Sequence, residues 1–246
     1  MQGSREMKFL TKTTFTIGLL VMLLTVPSFG ASINKSIKVG AGEESSGASS
    51  VNGSITVGEN AVVTGNVETV NGSIRVDSGA AIEDASTVNG AVRLADKVTA
   101  NDLSTVNGAV KVGESATIDG EIEAVNGSIS VQQGTRISDD VSNVNGHVEL
   151  IGAEVGGDVT TVTGDVDVVE GSVIKGNLIV EERSGWSWGK STRRKPRIVI
   201  GPGSSVQGVI RLEQEVELFI SETAEVGGVE GKMTMADAVR FSGDRP

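Results

Sequence analysis

The sequence predicts an all-β protein, a single-stranded parallel β-helix of about ten coils, and three observations lead there. A Val-Asn-Gly phrase recurs at near-constant spacing, short apolar runs alternate inside each repeat, and large rings are scarce. Aromatic residues make up 3% of the 246-residue chain, Tyr is absent, and Gly reaches 33 residues. Such a chain can fill only a narrow interior lined by Val, Ile, Leu and Ala, which suits a solenoid.

The Asn of the phrase falls at Asn34, Asn52, Asn71, Asn89, Asn107, Asn126 and Asn145, with Thr163 in its place in Val162-Thr163-Gly164. Successive gaps are 18, 19, 18, 18, 19, 19 and 18. Within the repeat Val88, Leu94, Ala100, Val106, Val112 and Ile118 follow one another at six-residue steps, while Val92 and Val110 alternate with Leu94 and Val112. Alternation over a few β-branched residues marks a strand with one buried face, so each repeat holds three short strands. Three strands make a triangular coil, and stacked coils pair each strand with its counterparts above and below. At ~4.8 Å per coil, ten coils give a rod of roughly 48 Å.

The Asn-Gly step then reads as a corner. A tight corner is expected to use the positive φ that Gly tolerates, and Asn side chains stacked in register are expected to form a hydrogen-bonded ladder. Two more coils follow an interruption. Arg197 to Gly208 and Glu217 to Val226 copy the layout of Ser54 to Gly65, which puts their corners at Lys195 and Glu215. Thr163 to Lys195 is 32 residues, so 13 or 14 are inserted, at about residues 182–194. The bulky Ile55, Val92, Val110 and Ile129, two residues before the next inward side chain, favour the right-handed form, as does the general bias of parallel crossovers.

The ends differ from the body. Lys8 and Lys12 precede an apolar run from Thr16 to Val26, and Ser28 and Gly30 offer small residues before Ala31. Residues 1–30 therefore read as a secretory signal peptide, with Met7 as an alternative start, and the run is short for a membrane span. Removing them takes away Arg5, Lys8, Lys12 and Glu6, leaving 18 positive and 31 negative residues, a net charge of -13. That balance argues against nucleic acid, whose phosphates need a basic surface. Without cysteine there is neither a disulfide framework nor a lipidated Cys. The solenoid is expected over residues 31–231 and a cap or tail over 232–246, because Lys232 to Phe241 breaks the strand pattern. A first coil left uncovered near Ile33 would be open to a second molecule.

With the coils written out, Gly53 to Gly65 (GSITVGENAVVTG) resembles the rungs of the bactofilins, the polymer-forming cytoskeletal family of bacteria. It is also similar to exported β-repeat proteins described as putative adhesins, whose coils carry the same Ser-Val-Asn-Gly-Ser-Ile phrase. The resemblance covers about residues 34–231. It implies a right-handed triangular β-helix and, for bactofilins, filaments assembled end to end. Bactofilins act in the cytoplasm and lack this insertion, so the export signal and the inserted segment depart from their pattern.

Candidate sites are few. His147 is the only histidine, and as a lone residue beside a corner it reads as a surface substitution rather than a catalytic base. Asp139, Asp140, Asp158, Asp165 and Asp167 are acidic, and Asp165 with Asp167 share a strand face compatible with a weak cation site. A solvated acidic face is the better reading, so no metal, cofactor or catalytic residue is assigned. The insertion is more informative. It holds both tryptophans, Trp186 and Trp188, beside Lys190, Arg193, Arg194, Lys195 and Arg197, and from Arg183 to Leu212 seven basic residues meet no acidic one. Aromatic rings beside cations stack on sugars, sit at a membrane interface or dock an acidic partner.

The expectation for function is a non-enzymatic, exported structural or adhesion-type protein of the bacterial cell envelope, periplasmic or at the cell surface, with no transmembrane span in the mature chain. Its candidate partners are an envelope glycan, an anionic lipid or a second copy. A scaffold polymerising end to end is the alternative, and an enzyme acting on polysaccharide stands third because such enzymes need convergent carboxylates.

Overall fold

The computed structural model describes residues 33–183 and 194–246. Over these residues the chain winds through three parallel sheets in rotation. The first sheet has eleven strands from Ile37–Val39 to Val239–Phe241, the second ten from Glu44–Ser45 to Glu225–Val226, and the third ten from Ala48–Ser50 to Val229–Gly231. Each coil contributes one strand to each sheet, which makes the β-solenoid of about ten turns that the repeat predicts.

Register follows the repeat residue for residue. Ile37 pairs with Ile55 and Ile55 with Ile74, while Val92 pairs with Val110 and Val110 with Ile129. Inward side chains therefore stack on their own equivalents. Ile55, Ile74, Ile118, Leu103 and Ile122 are fully buried in one continuous aliphatic core.

The third sheet departs from the sixfold grouping. Thr87 and Thr105 point inward at 1% and 0% exposure, whereas Val88 and Val106 are half-buried on the outer face. An inward hydroxyl needs a partner, and the corner below supplies one. The Oγ1 of Thr69, Thr87 and Thr105 donates to the carbonyl oxygen of Gly53, Gly72 and Gly90 at 2.8, 2.9 and 2.9 Å. In the Thr-Val-Asn-Gly phrase the Thr thus ties its strand to the glycine one coil earlier.

That glycine is not there for a positive φ. Of Gly53, Gly72, Gly90, Gly108, Gly127 and Gly146, only Gly146 adopts one, at φ 145°. The requirement is closeness of approach: a Cβ on Gly72, Gly90, Gly108 or Gly127 would overlap the carbonyl oxygen of the glycine one coil below. Left-handed backbone appears instead at the turn after each of the first nine first-sheet strands, at Gly42, Asn60, Gly79, Lys97, Ser115, Gly134, Gly152, Gly171 and Gly203.

The last coil is covered by chain that the sequence reads as unlike a strand. Met233, Met235 and Ala238 pack against the core, and Val239–Phe241 returns to the first sheet as a strand beside Glu217–Ser221. Between them lies a 3-10 turn, Met235–Asp237, in which Asp237 Oδ2 accepts from both the Thr234 amide and its hydroxyl.

Two substitutions test this packing by urea unfolding. Gly108→Ala is expected to lower stability by about 2 to 3 kcal/mol, because the added methyl must displace backbone rather than a flexible side chain. Asn143 occupies the inward Thr position and donates to Gly127 O at 2.8 Å, but its buried Oδ1 has no hydrogen-bond partner. Asn143→Thr is expected to raise stability by about 1 kcal/mol, since a hydroxyl can make the same bond without an orphaned acceptor.

Candidate functional site

The Asn corner is built as a ladder. The Nδ2 of Asn52, Asn71, Asn89, Asn107 and Asn126 donates to the Oδ1 of the Asn one coil earlier, at 2.7, 2.8, 2.9, 3.0 and 3.2 Å. Asn145 receives the Thr163 hydroxyl at 3.1 Å on its Oδ1. The column then changes chemistry. Strand register places Lys195 over Thr163 and Glu215 over Lys195, and Lys195 Nζ meets Glu215 Oε2 at 2.7 Å.

The insertion opens at this corner. The chain leaves the third sheet after Leu178–Val180 and re-enters the first at Arg197–Ile200. Trp186, Trp188, Lys190 and Arg193 lie outside the described residues. Arg194, Lys195 and Arg197 are brought together at the corner, and each meets a carboxylate from a neighbouring coil. Arg194 Nη2 binds Asp165 Oδ2 at 2.7 Å, the Arg197 amide donates to Asp165 Oδ1 at 2.8 Å, and Arg197 Nη1 stands 3.8 Å from Asp167 Oδ1. The Arg197 guanidinium also lies over the Phe219 ring, 5.1 Å from its centre. The basic run has no acid within its own sequence, yet the axial neighbours supply one for each of these cations.

Further contacts fix the feet of the insertion. Arg183 Nη2 donates to Arg194 O at 3.3 Å, and Lys232 Nζ pairs with Glu182 Oε1 at 3.0 Å. Gln214 Nε2 donates to the carbonyl oxygens of both Glu181 and Val162, bridging the corner from above where the main chain departs.

Asp165 and Asp167 are therefore paired with arginine side chains rather than arranged around a metal ion. His147, alone in sequence, gains a neighbour in space: its Nε2 stands 3.7 Å from Asp167 Oδ2. Burial pushes the Asp167 carboxyl above the usual range, opposed by His147 and Arg197. Among the described residues no group of three or more His, Asp or Glu side chains is placed to hold a metal ion, and no helix is long and apolar enough to cross a membrane.

A second column escaped the sequence reading. Asp84, Asp102, Glu121, Asp140 and Asp158 follow one another up the third corner, which joins the second sheet to the third, each immediately before a third-sheet strand residue paired with its equivalents. The signal was present, because each stands five residues before the corner residue Asn89, Asn107, Asn126, Asn145 or Thr163. Most act as backbone caps. Asp102 Oδ1 accepts from the Glu121 amide at 2.9 Å, Asp140 Oδ1 from Asp158 at 2.7 Å and Asp158 Oδ1 from Asn177 at 2.8 Å. Burial, then the carboxylates of Glu123, Asp102, Asp140 and Asp139, push Glu121 up to about 7. Glu123 rises as well, through burial and Asp102.

No family model, no curated protein and no solved structure matches the chain.

Glu121 gives the solenoid a pH dependence with a definite sign. Its folded value of about 7 exceeds the ordinary 4.5, so the folded chain holds the proton more tightly than the unfolded one. The resulting stabilisation is complete below pH 4.5 and is lost as pH rises through 7. Glu121→Gln is expected to reduce that loss and to leave the variant more stable than the parent in mildly alkaline buffer, read as urea midpoints across the range.

Proposed function

We propose that the chain is a non-catalytic, exported structural or adhesion-type β-solenoid of the bacterial cell envelope, which engages an anionic envelope component through its insertion. The observation that carries this reading is the way both feet of the insertion are held. Arg183 is bonded to Arg194, Arg194 to Asp165, and Glu182 to Lys232. A regular solenoid does not need this interruption, which at its corner replaces an uninterrupted Asn ladder by ion pairs and the Gln214 bridge.

The ten residues between the feet carry both tryptophans with Lys190 and Arg193, in a chain of net charge -11. Rings that stack on sugars beside cations that pair with phosphate or carboxylate groups suit an anionic glycan or lipid headgroup. Arg194, Lys195 and Arg197 are bound into the stack, so the contact falls to the inserted residues. The signal-like residues 1–30 and the resemblance to exported β-repeat adhesins support the same reading.

The test replaces residues 184–193 by a Gly-Ser segment of equal length. Circular dichroism is expected to keep the β signal, while co-sedimentation with isolated envelopes and with anionic vesicles falls to the level of an unrelated acidic protein. Unchanged co-sedimentation would overturn the proposal.

A further inference from the structure

We propose that Asn145-Gly146 is a site of spontaneous deamidation in the folded protein, and that the corner ladder shields the other Asn-Gly steps. The sequence holds six such steps, at Asn52, Asn71, Asn89, Asn107, Asn126 and Asn145. The reaction needs the backbone nitrogen of the glycine, deprotonated, to bond to the Asn Cγ. The Cγ–Nδ2 bond breaks, ammonia leaves with the proton, and water opens the five-membered imide to aspartate or isoaspartate. Hydrogen bonding of Nδ2 holds the side chain away from this geometry, and hydrogen bonding of the glycine N–H keeps the nucleophile protonated.

Both restraints operate at the centre of the column. Asn89, Asn107 and Asn126 each donate Nδ2 to the preceding Asn, while the amides of Gly90, Gly108 and Gly127 donate to the carbonyls of Asn107, Asn126 and Asn145 at 3.1, 3.1 and 3.0 Å. Asn52 and Asn71 keep the side-chain restraint. At Asn145 both are missing: among the described residues neither its Nδ2 nor the Gly146 N–H has a hydrogen-bond partner.

The local geometry adds to the difference. Gly146 is the one corner glycine of the six with a positive φ, 145°. The Thr163 hydroxyl lies 3.1 Å from Asn145 Oδ1 and 3.0 Å from Val144 O, within reach of the oxygen on which charge develops as the nitrogen attacks. Asn145 is exposed, so water and base have access. The product carries a carboxylate at the last Asn of the column, two coils before the corner where the insertion leaves.

The full-length protein, aged in warm, mildly alkaline buffer and mapped by peptide mass spectrometry, tests this. The deamidation mass gain is expected at Asn145 several-fold faster than at Asn89, Asn107 and Asn126, with Asn52 and Asn71 between. In concentrated urea the six steps should react at similar rates, and Asn145→Ser should abolish the leading product of the folded sample. Equal rates at Asn145 and Asn107 in the folded protein, or the same ranking in urea, would overturn the proposal.

Discussion

Everything in this chain is governed by stacking in register at one strand spacing. Each side chain lies over its own equivalent one coil away, so whatever chemistry a position holds is multiplied along the axis. For aliphatic residues the multiplication is favourable: inward Ile, Val, Leu and Ala stack on one another in columns and share one continuous core. For amides it is also favourable, because an amide both donates and accepts and each Asn can satisfy the next. For backbone it is restrictive. Corners approach so closely that the glycine carbonyl of one coil fills the space a Cβ of the next would need.

Charge is where the same constraint turns unfavourable, and the structure answers it in two ways. In the acidic column one carboxylate oxygen of Asp102, Asp140 and Asp158 is committed to the amide of the following coil, so each carboxylate has a backbone donor beside its acidic neighbours. Glu121 is one carbon longer and sits among four carboxylates, and it keeps its proton to a higher pH. Beside the insertion the answer is alternation of sign: Thr163, Lys195 and Glu215 continue the Asn column as a hydroxyl, a cation and an anion.

The period of the Asn residues was enough to place the coils, the three strands of each and the amide ladder, because these depend on identity repeated at a fixed distance. What it did not reveal depends on direction. Nothing in Thr87-Val88 tells which neighbour faces inward, and the apolar residue was the natural choice until the glycine carbonyl appeared as the hydroxyl's partner. Likewise Gly suggests a left-handed turn in any sequence, whereas the left-handed residues here include Asn60, Lys97 and Ser115 at another corner. The neutralisation of Arg194 and Arg197 was hidden for a related reason, since Asp165 is 29 residues from Arg194 in sequence yet in contact with it.

The corners also explain how the repeat tolerates irregular length. From Ile82 to Ala85 and from Ala100 to Leu103 the third corner takes three steps, whereas from Ile118 to Ile122 and from Ile137 to Val141 it takes four, which accounts for coils of 18 and 19 residues there. In the coil from Asn145 to Thr163 the third corner keeps four steps, and the missing residue comes from the turn after Leu150. An extra residue inside a strand would turn every later side chain to the wrong face, while at a corner it only widens a bend. The insertion follows this rule at larger scale. It enters at the Asn corner, between the third and first sheets, and the stacked first-sheet strands Val166–Val169 and Arg197–Ile200 still pair in register. What the corner loses is the backbone bonding of the missing rung, and Gln214 supplies that by reaching the carbonyls of Val162 and Glu181. A long segment can therefore be carried on this solenoid without disturbing its core, provided that it leaves and returns at one bend.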